Sequence, residues 1–375
     1  LSSLTFMSVP AKTFATDWLY FFINMSIIAL APIIIYFILP FFRRIDATSA
    51  YQYLELRFNL ATRLFASASY ILFQVGRMAI VMFLPSLALS TVTSISIEMS
   101  ILIMGGLSII YCTLGGVEAV IWTDTLQTFV LLGGAMLSVA LVIFNPDIGA
   151  GEFFSVASAD QKFRMVDWSW NYTTAVLWVV ILGGIGQTLI PYSSDQGVVQ
   201  RYMSVSSEKK AAQSIWTNAG LSFFATILFF AVGTALYVFY KKNPAALDPT
   251  YQTDAVFPLF IAHQLPIGIA GLVVAGIFAA AQSTISTSMN SIATALTTDF
   301  VRRFDLIGSE TGYLRLARIL TVVFGLLGTG FALIIAYADI KSLWDSFISI
   351  LGLLGGAMCG LFLLGIFTLR ASGKG

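Results

Sequence analysis

Long, nearly unbroken apolar stretches alternate along the chain with short polar ones. A helix crosses the hydrocarbon of a bilayer with about 20 apolar residues. Nine stretches reach that scale: 18–42, 61–89, 99–114, 117–144, 173–194, 214–240, 266–298, 313–337 and 343–369. They read as helices, since a membrane barrel would instead show alternating segments of about ten residues. Residues 1–8 read as the end of a tenth span, because they begin mid-pattern with no initiator Met and no charged flank. The last residues, 371–375, stop without a domain, so the sequence is expected to be a piece cut at both ends.

Composition fixes the solvent. Of 375 residues, 58% are hydrophobic and 10% charged, against about 25% charged in a soluble domain. No soluble core of this size could hide that apolar surface, so the surroundings are lipid. Lysine and arginine then set the orientation. With alternating spans, thirteen fall on one side, among them Arg43, Arg57, Lys209, Arg302 and Arg370. Six fall on the other, among them Lys12, Lys162 and Lys241. The richer side is expected to be cytoplasmic, which gives a multi-pass protein of the inner (plasma) membrane. A net charge of +1 offers no footprint for nucleic acid. Cys112 and Cys359 both lie within spans, which argues against a disulfide framework. His263, the single histidine, reads as a solvated loop residue. The spans hold no histidine and no carboxylate pair, so no membrane enzyme is expected.

Counting the partial first helix gives ten. The organisation expected is a first half at 1–144, a polar outer loop at 145–172, a second half at 173–369 and a cytoplasmic tail at 370–375. An odd number of spans per half gives the halves opposite orientations, the arithmetic of the inverted repeats found in secondary transporters. In such proteins corresponding helices are interrupted at the site. Residues 1–10 mix hydroxyls with Pro10, and helix six carries Gly183, Gly184, Gly186 and Pro191. Interruptions there would present backbone carbonyls at mid-membrane depth; ordinary packing through small residues is the alternative.

Arg77 lies near the middle of the third helix. A charge at that depth costs about 2.5–3.5 kcal/mol on insertion scales. Guanidinium keeps its proton, and its planar fork matches a carboxylate. Two readings stand: Arg77 holds the carboxylate of an anionic solute, or it pairs with an acid of the protein. Asp124, two turns into the fifth helix, calls for a cation. The eighth helix offers uncharged oxygens. Ser283, Ser286 and Thr287 stand at i, i+3 and i+4 and share a face. The small residues 279–281 let another backbone approach. Hydroxyls, carbonyls and one acid suit sodium, a hard cation, by analogy with calcium. The alternative is that the hydroxyls bond their own i−4 carbonyls. Asn24 and Gln187 could line a solute cavity or bridge helices. Residues 51–58 read as an amphipathic cytoplasmic helix and 207–210 as a solvated loop.

Four stretches carry a resemblance: SAYQYLELRF (49–58), GGVEAVIWTDTLQ (115–127), SSDQGVVQRYMS (193–204) and FAAAQSTISTSMNSIATALTTD (278–299). With them the sequence resembles the sodium/solute symporter family. That resemblance implies an all-α membrane protein with a LeuT-type inverted repeat of five plus five transmembrane helices, truncated here at both ends. LSSLTFMSVPAK (1–12), with Arg77 in its setting, is most similar to the bacterial sialic acid transporters of the family. The resemblance implies a first sodium site from the Leu1 backbone, Ala280, Ser283 and Thr284. It implies a second from Asp124, Ser283, Ser286 and Thr287. Ser2, Thr5, Asn24 and Arg77 match substrate-lining positions. Tyr20 stands where an aromatic Phe is expected, and Asn24 where that branch commonly has Gln. Thr284 and Thr287 replace serines and keep the hydroxyl. The function implied is secondary active transport: sodium-coupled symport of a small organic anion, sialic acid (N-acetylneuraminate), across the lipid bilayer. The other readings are a monocarboxylate, sugar or amino acid as cargo, or a transporter-like sensor.

Overall fold

The computed structural model describes residues 2–45, 49–114, 117–248, 251–338, 340 and 342–373, with the side chains of 114, 117–123 and 201–204 excepted. Among the described residues every regular element is helical. In chain order the helices are α1 (Ser3–Ala15), α2 (Trp18–Arg44), α3 (Ala50–Arg57), α4 (Leu60–Val92), α5 (Ile97–Leu114), α6 (Val117–Ile143) and α7 (Gly149–Ala159). There follow α8 (Leu177–Ser194), α9 (Gln196–Ser204), α10 (Glu208–Lys242), α11 (Val256–Gln264), α12 (Ile267–Arg302), α13 (Glu310–Tyr337) and α14 (Leu343–Phe367). The expected spans fall on α1, α2, α4, α5, α6, α8, α10, α12, α13 and α14; among the described residues 8 of these, all but α1 and the shorter apolar α5, are long and apolar enough to cross a membrane.

Short polar side chains set where several helices start. Ser49, Asn59, Ser207, Ser309 and Ser342 each accept a hydrogen bond from the backbone N–H three residues on. Each satisfies one of the donors that a helix start leaves without an internal partner. Ser207 therefore caps α10, and Glu208–Lys210 form its first turn rather than the solvated loop expected there. The outer loop 145–172 contains α7, and His263 sits exposed on the last turn of α11, not in a loop. The amphipathic helix expected at 51–58 is α3. Helix α2 widens into a π-turn over Ile34–Ile38, just after Pro32, which has no amide hydrogen to give.

The helices pack in two sets. In one, α1 lies against α10, and α2 lies against both α8 and α10. In the other, α4, α5, α12 and α13 pack against one another. Helix α1 also touches α4 and α12, so it runs along the seam between the sets. Helix α6 joins α10 to α12, and α14 joins α8 to α4. Backbone approach needs glycine at two crossings. A Cβ on Gly233 of α10 would stand 2.6 Å from the Pro10 carbonyl of α1. One on Gly184 of α8 would stand 3.0 Å from the Ile23 Cα of α2, where Ser26 also donates to the Gly184 carbonyl at 2.8 Å.

Helices one and six depart from the interruptions expected in them. Helix α8 continues through Gly183–Pro191 as far as Ser194, so those glycines serve packing; the break comes later, at Asp195. Helix α1 likewise runs through Pro10, and only Ser2, its N-cap, is extended (φ −121°, ψ 157°). Near the C-terminal end of α12, Asp299 is fully buried. It accepts hydrogen bonds from Ser49, Arg63 and Ser67, and Arg63 also pairs with Glu55 of α3. This lattice ties α3, α4 and α12 into one body.

Candidate functional site

Helices α6 and α12 meet at a carboxylate and a hydroxyl. Ser283 Oγ donates to Asp124 Oδ2 at 2.9 Å, and Gln127 Nε2, one turn further along α6, donates to Asp124 Oδ1 at 2.9 Å. Both carboxylate oxygens are thus held by uncharged donors from two helices. No Lys, Arg or His among the described residues lies within 4 Å of Asp124, so none of them is a counter-ion to its negative charge. Asp124 is half-buried, and a carboxylate partly withdrawn from water without a counter-ion is a seat for a cation.

The hydroxyls beside it take their hydrogens inward. Ser286 donates to the Ser283 carbonyl at 3.1 Å and Thr287 to the same carbonyl at 2.8 Å. Thr284 donates to the Ala280 carbonyl at 3.1 Å. These are the local bonds that Ser and Thr make in any membrane helix. They dispose of the proton and leave lone pairs on each oxygen, since a hydroxyl is one donor and two acceptors. Of this stripe only Ser283 reaches the neighbouring helix. Ser286 is buried and Thr287 exposed. Leu1, expected to give a backbone oxygen, lies outside the described residues.

The second centre is a cavity of about 190 Å³ between α4, α8 and α14. Arg77, Gln187 and Asp195 are its hydrogen-bonding walls, with Phe73, Phe347 and Leu351 among the apolar ones. No carboxylate among the described residues comes within 4 Å of the Arg77 guanidinium, so none of them forms the internal ion pair weighed as an alternative, though Asp195 shares the cavity. Gln187 lines the cavity instead of bridging helices.

The remaining predicted residues lie elsewhere. Ser2 and Thr5, at the start of α1, share a 3.3 Å hydroxyl contact, and neither borders the Arg77 cavity. Tyr20 sits at the outer end of α2 with Lys12 Nζ 4.9 Å from its ring centroid. Asn24, one turn further, is half-buried. The structure therefore brings Asp124 to Ser283 and Ser2 to Thr5, but it does not place Ser2, Thr5, Tyr20 or Asn24 on the cavity of Arg77.

Sequence reasoning passed over Asp195. It occupies the break between α8 and α9, is 9% exposed, and accepts the Gly197 amide at 2.8 Å. Tyr70 and Gln74 of α4 each approach it at 3.4 Å, and Ser288 of α12 donates to Gln74 at 3.1 Å. The available signal was the polar run Ser193–Gly197 inside an apolar helix.

With this geometry in hand, similarity to known proteins narrows the identity. The model of the sodium:solute symporter family matches residues 1–375. The sodium/sialic acid symporter SiaT of Proteus mirabilis (strain HI4320) is 42% identical over 374 residues, which is 99% of this chain and 75% of that protein. Among solved structures, a Na+-coupled sialic acid symporter in a substrate-bound, outward-open state superposes with a TM-score of 0.89. It is 40% identical, with 100% of this chain and 78% of that one covered. The inward-facing conformation of Mhp1 superposes at 0.60, with 17% identity and coverage of 96% and 73%, a likeness of fold alone. The fold is the LeuT-type inverted repeat of five plus five helices, on a multi-pass membrane protein that is a transporter and not an enzyme. On its full-length match and its likeness to SiaT, the chain belongs to the sodium:solute symporter family.

Proposed function

We propose that this protein takes up sialic acid, as N-acetylneuraminate, by symport with sodium across the bacterial inner membrane. The observation that carries the reading is the contact between Asp124 and Ser283, 159 residues apart in sequence and 2.9 Å apart in space. It sets one uncompensated charge against the hydroxyl stripe of α12, the arrangement a monovalent hard cation requires. Asp124, Ser283, Ser286 and Thr287 are the oxygens for one ion. Ala280, Ser283 and Thr284, with the Leu1 backbone, are the ligands for the other. Arg77, with no described carboxylate within 4 Å of it, receives the carboxylate of the sugar. Ser2, Thr5, Tyr20 and Asn24 contact the rest of it when α1 and α2 close on α4. The two halves, 1–144 and 173–369, are the repeats that rock around this centre, joined by 145–172.

Linkage supplies the mechanism. Sodium holds α12 against α1 and α6 and so favours the form that accepts the sugar. Each ion descending a tenfold gradient releases about 1.4 kcal/mol. The test is uptake of radiolabelled N-acetylneuraminate into proteoliposomes that hold the full-length protein. Uptake is expected to need sodium and to rise sigmoidally with it. Arg77→Lys keeps the charge and loses the fork, so apparent affinity is expected to fall about tenfold or more. Uptake indifferent to replacing sodium with choline, or normal affinity in Arg77→Lys, refutes the corresponding half of the proposal. A competition panel of monocarboxylates, sugars and amino acids separates the cargo readings.

A further inference from the structure

Gln127 has not been given a part in transport, and its surroundings ask for one. It is 5% exposed, in the membrane portion of α6. Its amide nitrogen is used, on Asp124 Oδ1 at 2.9 Å. Its amide oxygen is shielded from solvent and has no hydrogen-bond partner among the described residues. An amide is rigid and planar, so fixing the nitrogen on Asp124 also holds the bare oxygen beside that carboxylate. Leaving a buried carbonyl unsatisfied costs about 1–3 kcal/mol. Evolution of an apolar side chain at that position would remove the cost; Gln keeps it.

The ion proposed at Asp124 has four side-chain oxygens, from Asp124, Ser283, Ser286 and Thr287. Hard cations of this kind gather six or more oxygens in flexible shells. We infer that Gln127 is a further ligand of that ion, its Oε1 coordinating sodium while its Nε2 orients the Asp124 carboxylate. The inference rests on the sodium site proposed above but not on the identity of the sugar.

Two substitutions separate a ligand from a strut. Gln127→Met keeps the volume and removes both polar atoms. Gln127→Glu keeps an oxygen and removes the N–H. A strut predicts that Gln127→Glu is at least as damaging as Gln127→Met, because a carboxylate would then face a carboxylate. A ligand predicts that Gln127→Glu binds sodium as wild type does or more tightly, while Gln127→Met does not.

The first readout is the thermal midpoint of the purified full-length protein in detergent, without sugar, titrated with sodium chloride against choline chloride at constant ionic strength. In Gln127→Met the half-saturating sodium concentration is expected to rise about tenfold, the equivalent of about 1.4 kcal/mol. In Gln127→Glu it is expected to stay at or below the wild-type value. The second readout is sodium-dependent uptake: in Gln127→Met the sodium curve should shift to higher concentration by a similar factor, and Gln127→Glu should leave it in place. Sodium half-saturation in Gln127→Met matching wild type overturns the inference, as does a Gln127→Glu protein that loses sodium to the same degree. Should Gln127→Met fail to fold, Gln127→Glu decides alone: retained sodium stabilisation supports a ligand, and lost stabilisation overturns it. Wild type that sodium stabilises but that takes up no N-acetylneuraminate removes the cargo reading and leaves Gln127 standing. Wild type that sodium does not stabilise removes the ion site and Gln127 with it.

Discussion

Lys162 shows how one side chain can fasten a helix end. It belongs to the outer loop yet is only 6% exposed. Its ammonium donates to the Phe14 carbonyl at 2.7 Å and to the Thr16 carbonyl, and it lies 3.9 Å from the centroid of the Tyr237 ring. Those carbonyls end α1, where the last turn has no internal donors and the helix dipole favours a cation. Burial pushes the Lys162 pKa down to about 8, against the pull of Asp17 and Asp160. Lys162→Met leaves the carbonyls unpaired and is expected to lower stability by about 1–3 kcal/mol, read as a fall in the thermal midpoint. The pH dependence has a definite sign. Between about 8 and the ordinary lysine value the folded protein has shed a proton that the unfolded chain keeps. Stability from this group therefore rises with pH across that window. The gap in midpoint between wild type and Lys162→Met should widen from pH 8 to pH 10; a constant gap means Lys162 keeps its proton there. Nothing in the sequence separates this buried lysine from Lys241, which is paired with Asp160 and half-exposed, because the difference is made by α1 arriving from 150 residues away.

At the scale of elements, the outer ends of α1 and α14 are joined twice. Lys12 pairs with Asp345 at 2.7 Å, with Asp345 half-exposed. Asp254, in the turn before α11, is 3% exposed and accepts the Ser8 hydroxyl at 2.8 Å and the Leu343 amide at 3.0 Å. An exposed pair contributes about 0–1 kcal/mol, whereas donors orphaned in a buried site cost about 1–3 kcal/mol each. Asp254→Ala should therefore open the outer end more than Lys12→Met does. The measurement is labelling of a single cysteine at Thr5 by a membrane-impermeant reagent, with Cys112 and Cys359 replaced. Faster labelling in Lys12→Met than in Asp254→Ala would reverse the ranking and the burial argument with it. The spans themselves were legible, since lipid imposes a length and an apolarity that a sequence cannot disguise. The breaks were not. Glycine in a membrane helix marks either an interruption or a close crossing, and only the presence of Ile23 against Gly184 decides for the crossing. The true break, at Asp195, hides in a short polar run. Asp124 and the Ser283 stripe could be paired from chemistry alone, because few partners suit an acid in lipid. The cavity of Arg77 could not, since its walls come from three helices.

For the whole molecule the consequence is electrical. The buried Asp299–Arg63 lattice ties α4 to α12, while α1, α2, α8 and α10 form the other packed set. The ion proposed at Asp124 and Ser283 would sit between α6 and α12, and the one proposed near Ala280 between α12 and α1. In the proposed cycle, closing the seam carries both ions with the sugar. Two sodium ions and one carboxylate move one net positive charge inward. At 100 mV, inside negative, that charge gains about 2.3 kcal/mol. Two ions on a tenfold gradient add about 2.8 kcal/mol, so the two drives are comparable in size. Sugar and sodium added together outside sodium-free proteoliposomes should give an inward positive current, and an imposed negative interior should raise uptake. Asp124→Asn removes the charge that seats one ion and leaves the other site in place. Its cycle then moves one sodium with one anion, so uptake should persist at a reduced rate, lose its sigmoidal sodium dependence and produce no steady current. A current of undiminished size per sugar in Asp124→Asn would show that the second charge enters elsewhere, and that Asp124 holds structure and not an ion.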